Sequence, residues 1–438
     1  MRIFHSARAA LCILVLLLAA PSSHAYSVLT HEEVVDMVWD SHIVPLLKVR
    51  FPNATSEEIR RAHAYAYGGS VIQDLGYYPF GNPYFSNLLH YVRTGDFVSA
   101  LIADSTDPNE YAFALGALAH YCGDTIGHPY INEATASEYP KLRKRFGKVV
   151  TYEQDPTAHL RTEFGFDVVQ VAHSRFAPDA YRDFIGFQVA SPLMHRAFQE
   201  TYGIRMEDVL THEDLAINTY RHSASSLIPK ITRVALVAYG KQLKAEDPSF
   251  NKKLFIYRLK QSDYRKLYGR GYQKPGIGAH IVAFFVKIVP KIGPFRALQL
   301  SLPNAQEEDI YLKSVNLTVN FYRLRLAELQ RPANVRSGLD LQDIDLDTGQ
   351  PTSSGEYALA DQSYARLLGD LTQPSGTQLP IPVHDTMLSF YADPAAPNTM
   401  KAKPKDWQQV QTNLAILRTA PRVLPSQAVS DVPQAKTP

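Results

Sequence analysis

Three residues able to bind a metal, His120, Asp124 and His128, stand four apart in the stretch Ala-Leu-Ala-His-Tyr-Cys-Gly-Asp-Thr-Ile-Gly-His-Pro. On an α-helix that spacing stacks both imidazoles and the carboxylate along one face. The neighbours Phe113, Leu115, Leu118, Ala119, Tyr121 and Ile126 are apolar, so the helix is expected to be buried. Burying three such groups is costly unless each finds a partner. Zinc is a fitting one, since it accepts imidazole nitrogen and carboxylate oxygen alike. The competing arrangement is a polar seam in which the three side chains hydrogen-bond to one another. His159 and Glu163, in Thr-Ala-His-Leu-Arg-Thr-Glu-Phe, repeat the four-residue spacing on a second expected helix. Asp74, His90 and His31 lie upstream, and eleven histidines fall between residues 26 and 222 with only His280 and His384 beyond. Metal chemistry is therefore assigned to the first half of the chain.

Residues 1–25 read as a secretory signal. Arg2 and Arg8 form a basic start, Leu11 to Ala20 an apolar run, and Ser23-His24-Ala25 a small-residue cleavage site. The apolar run is too short to span a bilayer. Cleavage there leaves Tyr26 as the first residue, and export to a secreted or periplasmic location is the expectation. Thr30 and Glu33 have capping-box spacing, which predicts a helix with His31 in its first turn. Without Arg2 and Arg8, the 45 basic side chains fall to 43, equal to the 43 acidic ones. The remaining chain therefore lacks the basic footprint of a nucleic-acid binder. Cys122 is the one cysteine left after cleavage, which excludes an intrachain disulfide and predicts a buried thiol.

In order along the chain, Tyr26, His31, Asp74, His90, His120, Asp124, His128, His159 and Glu163 resemble the zinc-dependent phospholipase C family. That family is similar to the fungal single-strand-specific nucleases and to the N-terminal part of glycosylphosphatidylinositol-specific phospholipase D. The resemblance covers about residues 26–225. It implies an all-helical domain with up to three zinc ions in a cleft. By the same resemblance Asp74, His90, His120 and Asp124 surround one ion, and His128, His159 and Glu163 hold a second. Tyr26, through its freed α-amine and carbonyl, holds a third with His31 and a shared Asp124. An α-amino group titrates near about 8, so a metal readily deprotonates it. Tyr26 stands where the family usually has Trp, but the ligand atoms would be main-chain. The secreted bacterial phospholipases and the nucleases place the last two ligands of the central motif farther apart than the four residues seen here. In this respect the chain looks more like the phospholipase D-type variants.

The fold these elements imply is an all-α, multi-helix bundle around a multinuclear zinc cleft, with additional C-terminal helices and an irregular tail. Apolar residues recur at three and four in Val34-Val35-Val38-Trp39 and Ile59-Ala62-Ala66. Loops are expected at Tyr77 to Pro83 and Pro129 to Pro140. A helix from Ser56 to Asp74 would place His63 on the side of Asp74, although His63 is read as structural, as are His42, His173, His195, His212 and His222. The organisation is a signal at 1–25, a helical domain at 26–245, an accessory helical region at 246–332 and a Pro-, Gly- and Asp-rich region at 333–438. In the accessory region Lys252 to Tyr268 and Glu307 to Leu329 look helical. The apolar run Ile281 to Val286 is a candidate for packing on the bundle or for peripheral membrane contact. Asp340 to Asp347 holds four aspartates without the glycine and terminal glutamate of an EF-hand loop, and reads as a solvated turn. Ser363 to Leu371 could form a short helix, and Pro421 to Pro438 is expected to be disordered.

Clustered zinc suits attack on a phosphodiester, because it acidifies water and binds phosphoryl oxygens. The expected function is a secreted zinc-dependent phosphoric diester hydrolase of phospholipase C type, with Asp74 accepting the proton of the attacking water. The alternatives are a single-strand-specific nuclease, for which Tyr77, Tyr78, Phe80, Tyr84 and Phe85 could stack bases, and a non-catalytic zinc-stabilised ligand-binding protein.

Overall fold

A helix of 31 residues, Pro108–Glu138, organises the molecule. It starts where Asp107 accepts the backbone N–H groups of Asn109 (2.7 Å) and Glu110 (2.9 Å), with Pro108 at the position that needs no donor. It ends before Pro140, which could not donate to continue it. The computed structural model describes residues 26–172, 186–224, 228, 303–330, 339–373 and 379–423. Counted along them, this helix is α6. Before it come α1 (Val28–Asp36), α2 (Val44–Arg50), α3 (Ser56–Gly69), α4 (Pro83–Tyr91) and α5 (Thr94–Asp104). After it come α7 (Pro140–Phe146), α8 (Pro156–Ala172), α9 (Ser191–Tyr202), α10 (Met206–Val209) and α11 (Glu213–His222). Farther on are α12 (Ala305–Leu329), α13 (Ala358–Leu371), α14 (Ile381–Phe390) and α15 (Pro404–Thr419). The strands are two-residue bridges, β1 (Ile344–Asp345) antiparallel to β2 (Gln350–Pro351), and β3 (Leu379–Pro380) parallel to β4 (Arg422–Val423). The fold is all-α, as the pattern implies. Among the described residues no helix is long and apolar enough to cross a membrane.

α3 and α6 cross backbone against backbone. A Cβ on Gly69 would come within 2.0 Å of the Phe113 carbonyl oxygen, and one on Gly116 within 2.0 Å of the Ala66 carbonyl oxygen. α3 is held at its start by a capping box between Thr55 and Glu58. On another face of α6 lies α12, whose Tyr322 hydroxyl donates to the Leu115 carbonyl at 2.7 Å. A single apolar core, including Phe113, Leu115, Phe166, Tyr322 and Leu367, runs from α1 to α15.

Several elements depart from the sequence reading. α3 stops at Gly69, and Asp74 lies on a separate 3-10 turn, Ile72–Tyr77. His63 consequently has no part in Asp74's surroundings; it bonds Asp36 at 2.8 Å and stacks on Trp39 at 3.7 Å. The expected loop at Pro129 to Pro140 is instead the last part of α6, with Pro129 inside the helix. Proline removes one helical donor, and the Thr125 carbonyl freed by it faces Gly349. Within the accessory region, α12 begins at Ala305, close to the expected start at Glu307, and ends at Leu329 as expected. The short helix foreseen at Ser363 is the latter part of the longer α13, and α14 and α15 lie in the stretch read as Pro- and Gly-rich. The aspartate segment is not a solvated turn: Ile344, Asp345, Leu346 and Asp347 are buried. Its apolar residues alternate with the aspartates and pack inward. Lys252 to Tyr268, Ile281 to Val286, His173 and residues 424–438 lie outside the described residues.

The α3–α6 crossing generates a stability prediction. Gly116→Val should lower the melting temperature by roughly 10 °C, because overpacking of about 3 kcal/mol has no room to relax against backbone. Leu324→Ala, on the exposed side of α12, should move it by less than about 2 °C. Thermal denaturation of the two variants checks both.

Candidate metal centre

Four elements of the first half converge on α6. His31 comes from the first turns of α1, Asp74 from the 3-10 turn, His90 from α4, and His159 with Glu163 from α8. All eight side chains, His120, Asp124 and His128 included, are buried. They fall into three groups whose ligand atoms lie within 4.8 Å of one another: His31, His120 and Asp124; Asp74, His90 and His120; and His128, His159 and Glu163. His120 belongs to two groups. Asp124 faces two ways, with Oδ1 3.5 Å from His31 Nε2 and Oδ2 3.6 Å from His90 Nε2. The same Oδ2 lies 3.0 Å from His120 Nε2, and His90 Nε2 lies 3.4 Å from Asp74 Oδ1. His31 and His120 stack at 4.4 Å. In the third group His159 Nε2 is 2.7 Å from Glu163 Oε1.

The outer nitrogen of three rings decides between a polar seam and a metal. His90 Nδ1 is 2.8 Å from the Ser86 carbonyl oxygen, and His120 Nδ1 is 3.0 Å from that of Ser70. His128 Nδ1 bonds the Leu346 carbonyl. A carbonyl oxygen only accepts, so each Nδ1 carries the proton and a neutral ring turns its Nε2 lone pair inward. Those three Nε2 atoms make no hydrogen bond, nor do both Asp124 oxygens and Glu163 Oε1. Buried lone pairs facing carboxylates call for a cation between them. The mixture of imidazole nitrogen and carboxylate oxygen suits zinc.

The buried charged groups act strongly on one another. Burial opposes charge on Asp124, but His120, His128 and His90 together hold its carboxyl well below the usual range. Burial works against a charged His90 too, yet Asp124 and Asp74 raise it well above an ordinary histidine. Glu163 goes the other way: burial first, then Asp124, Asp74 and Asp347, push it well up.

Tyr26 sits beside this centre. Its ring meets His31 edge-on at 5.8 Å, and its hydroxyl donates to Ser314 Oγ on α12 at 2.8 Å. It fits because α6 has glycine where it passes: a Cβ on Gly127 would lie 2.6 Å from the Tyr26 ring, and one on Gly123 only 3.2 Å from His31. The sequence reading passed over both glycines, although they alternate with the ligand positions on α6. The Thr30 capping box does not form; the Thr30 hydroxyl donates instead to Asp167 at 2.6 Å. Tyr77 and Tyr91 flank His90 at 5.8 and 6.0 Å, and Tyr152 meets His159 at 5.9 Å. Tyr78 and Tyr84 are core residues, and Phe80 is exposed. Cys122 is buried, and burial pushes its thiol up. His195 pairs with Glu213 at 2.8 Å and Glu207 at 3.2 Å, away from the three groups.

Because His120 serves two groups, His120→Ala should cost more than one zinc per chain, whereas Glu163→Ala should cost one. Elemental analysis of the purified variants reads the difference, and equal losses would contradict the shared position of His120.

Residues 30–211 match the family model described as zinc dependent phospholipase C. No curated protein and no solved structure gives a significant match to the chain. The matched stretch takes in every side chain of the three groups, while Tyr26, α12 and the buried aspartate segment lie outside it. Over residues 30–211, and so over every liganding side chain of the three groups, the chain is similar to the zinc-dependent phospholipase C family.

Proposed function

We propose that the protein is a secreted phospholipase C-type hydrolase that cleaves the phosphodiester between the glycerol backbone and the head group of a phospholipid such as phosphatidylcholine. The observation that carries this reading is the inward set of Nε2 and carboxylate atoms around His120 and Asp124, inside the family-matched stretch. When bound there, zinc lowers the pKa of water toward neutrality and draws charge from the phosphoryl oxygens.

The chain's own residues have separate roles in this reading. His90, His120 and His128 are held by backbone carbonyls, so their inner nitrogens need no reorganisation on binding. Asp124, with an oxygen toward each of two groups, offsets the repulsion between neighbouring cations. Asp74, 3.4 Å from His90, takes the proton from the attacking water. Tyr77, Tyr91 and Tyr152 give the centre walls that are largely apolar, as lipid chains require. The balanced charge of the chain after residue 25 offers little attraction to a polyanion, which favours lipid over nucleic acid. The basic start and apolar run of residues 1–25 support export. Removal of that segment would free the amine of Tyr26, whose ring lies 5.8 Å from that of His31, as a further donor for the group of His31 and Asp124.

Zinc-loaded protein is expected to release phosphorylcholine from phosphatidylcholine vesicles. Asp124→Asn should reduce this by more than the roughly 100-fold typical of losing an outer hydrogen-bonding partner, because two groups loosen at once. Turnover of single-stranded DNA or RNA without lipid hydrolysis would replace this reading with the nuclease. Inactivity on both substrates with zinc fully bound would leave a ligand-binding protein.

A second prediction concerns the N-terminus. Mature protein carrying one extra residue ahead of Tyr26 should bind one zinc fewer and still fold, since the other groups keep their side chains. Unchanged stoichiometry would remove the Tyr26 amine from the centre.

A further inference from the structure

The family-matched stretch ends at residue 211, yet the metal centre is not complete without a segment more than a hundred residues beyond it. Leu346 and Asp347, in the turn that joins β1 to β2, are wholly buried against α6 and α4. The Leu346 carbonyl takes the His128 Nδ1 proton, and the Leu346 N–H donates to the His90 carbonyl at 3.0 Å. One residue later, Asp347 Oδ2 accepts from the hydroxyls of Tyr91 at 2.8 Å and Tyr357 at 2.6 Å. Its Oδ1 lies 3.8 Å from His128 Nδ1, and its carbonyl accepts from Asn132 Nδ2 at 2.9 Å, one turn along from His128. Asp345 closes the turn by accepting the N–H groups of Asp347 and Thr348, both at 3.0 Å. Gly349 lets the turn lie flat on the proline of α6: with φ at +69°, its place for a Cβ is 2.5 Å from the Thr125 carbonyl oxygen and 3.0 Å from the Pro129 ring. The segment thus grips His90 and His128, from two different groups, at once.

We propose that residues 344–349 form a strap that sets the geometry and basicity of the His128–His159–Glu163 metal position, with Asp347 as its positioning residue. The strap works from behind the ring. The Leu346 carbonyl fixes the proton on Nδ1, which aims the Nε2 lone pair at the metal. The Asp347 carboxylate beside the same Nδ1–H makes the ring a stronger donor, as a carboxylate behind a metal-bound imidazole does. Tyr91 and Tyr357 hold that carboxylate in place by donating to its Oδ2. A further buried acid whose charge acts on Glu163 is a poor choice for packing alone. It makes sense where a dication balances it.

This inference rests on the reading of the three groups as zinc positions, and one experiment separates the two. Full-length wild type, Asp347→Asn, Asp347→Ala and Tyr357→Phe are loaded with zinc. Zinc content and affinity are measured by competition with a chromophoric chelator, beside thermal melts of the metal-free forms. Asp347→Asn keeps an acceptor for both tyrosines and puts an amide NH2 in place of the carboxylate oxygen near His128 Nδ1, so it should fold like wild type while removing the negative charge behind the ring. It is expected to weaken one zinc per chain by about 10–100-fold and to leave the rest unchanged. Asp347→Ala should weaken the same zinc at least as much, and Tyr357→Phe less. Wild-type affinity in both Asp347 variants would overturn the strap's role, as would a lower melting temperature of the metal-free forms with no change in zinc affinity. Wild type that binds no zinc would overturn the strap and the zinc reading together.

Discussion

A histidine that offers one nitrogen to a metal must place the proton of its other nitrogen somewhere, and in a buried site that place has to be built. Three rings here solve the problem with backbone carbonyls from three separate sources. His90 uses Ser86 one turn back on its own helix, His120 uses Ser70 at the end of α3, and His128 uses Leu346. The first is local and cheap. The second requires α3 to end beside α6, which the glycine crossing at Gly69 and Gly116 permits. The third requires a chain segment from the far side of the sequence. Much of the architecture can be read as the means of bringing these carbonyls to α6.

The charge arrangement follows from the same constraint. With Nδ1 of these three rings bonded outward, their Nε2 atoms face the interior, where both Asp124 oxygens make no hydrogen bond. Asp124 is held low by the histidines around it while Glu163 is pushed up by burial and by its fellow acids. Opposite displacements in two carboxyls of one centre mean that protons alone distribute the charge unevenly. A set of divalent ions would relieve both, which is the physical content of the match between residues 30–211 and a zinc-dependent family.

The parts of this legible in the sequence are those encoded by side chains at short range. His120, Asp124 and His128 announce themselves because helical spacing and chemistry coincide, and so do His159 and Glu163. His31, Asp74 and His90 carry no such local pattern, and only their order in a family resemblance singles them out. The strap was not legible: its working group on Leu346 is a carbonyl, which every residue has, and its aspartates look like those of an exposed turn. Gly123 and Gly127 were passed over because a missing side chain gives no signal until Tyr26 is seen against it. Pro129 misled for a related reason, since a buried helix end supported from outside tolerates what an isolated helix would not. Packing partners distant in sequence decided each of these cases.

The bond from His128 to Leu346 spans 218 residues, and that from the Tyr26 hydroxyl to Ser314 spans 288. Closing such long intervals is slow relative to forming helices. A ribosome making this chain from its N-terminus would extrude every liganding side chain long before Leu346 emerges. In the interval His128 has no carbonyl to receive its outer proton, and its ring can turn either nitrogen toward an ion. If residues 344–349 act as the strap proposed above, the order of synthesis leaves the His128 position without its outer partner until that segment is made.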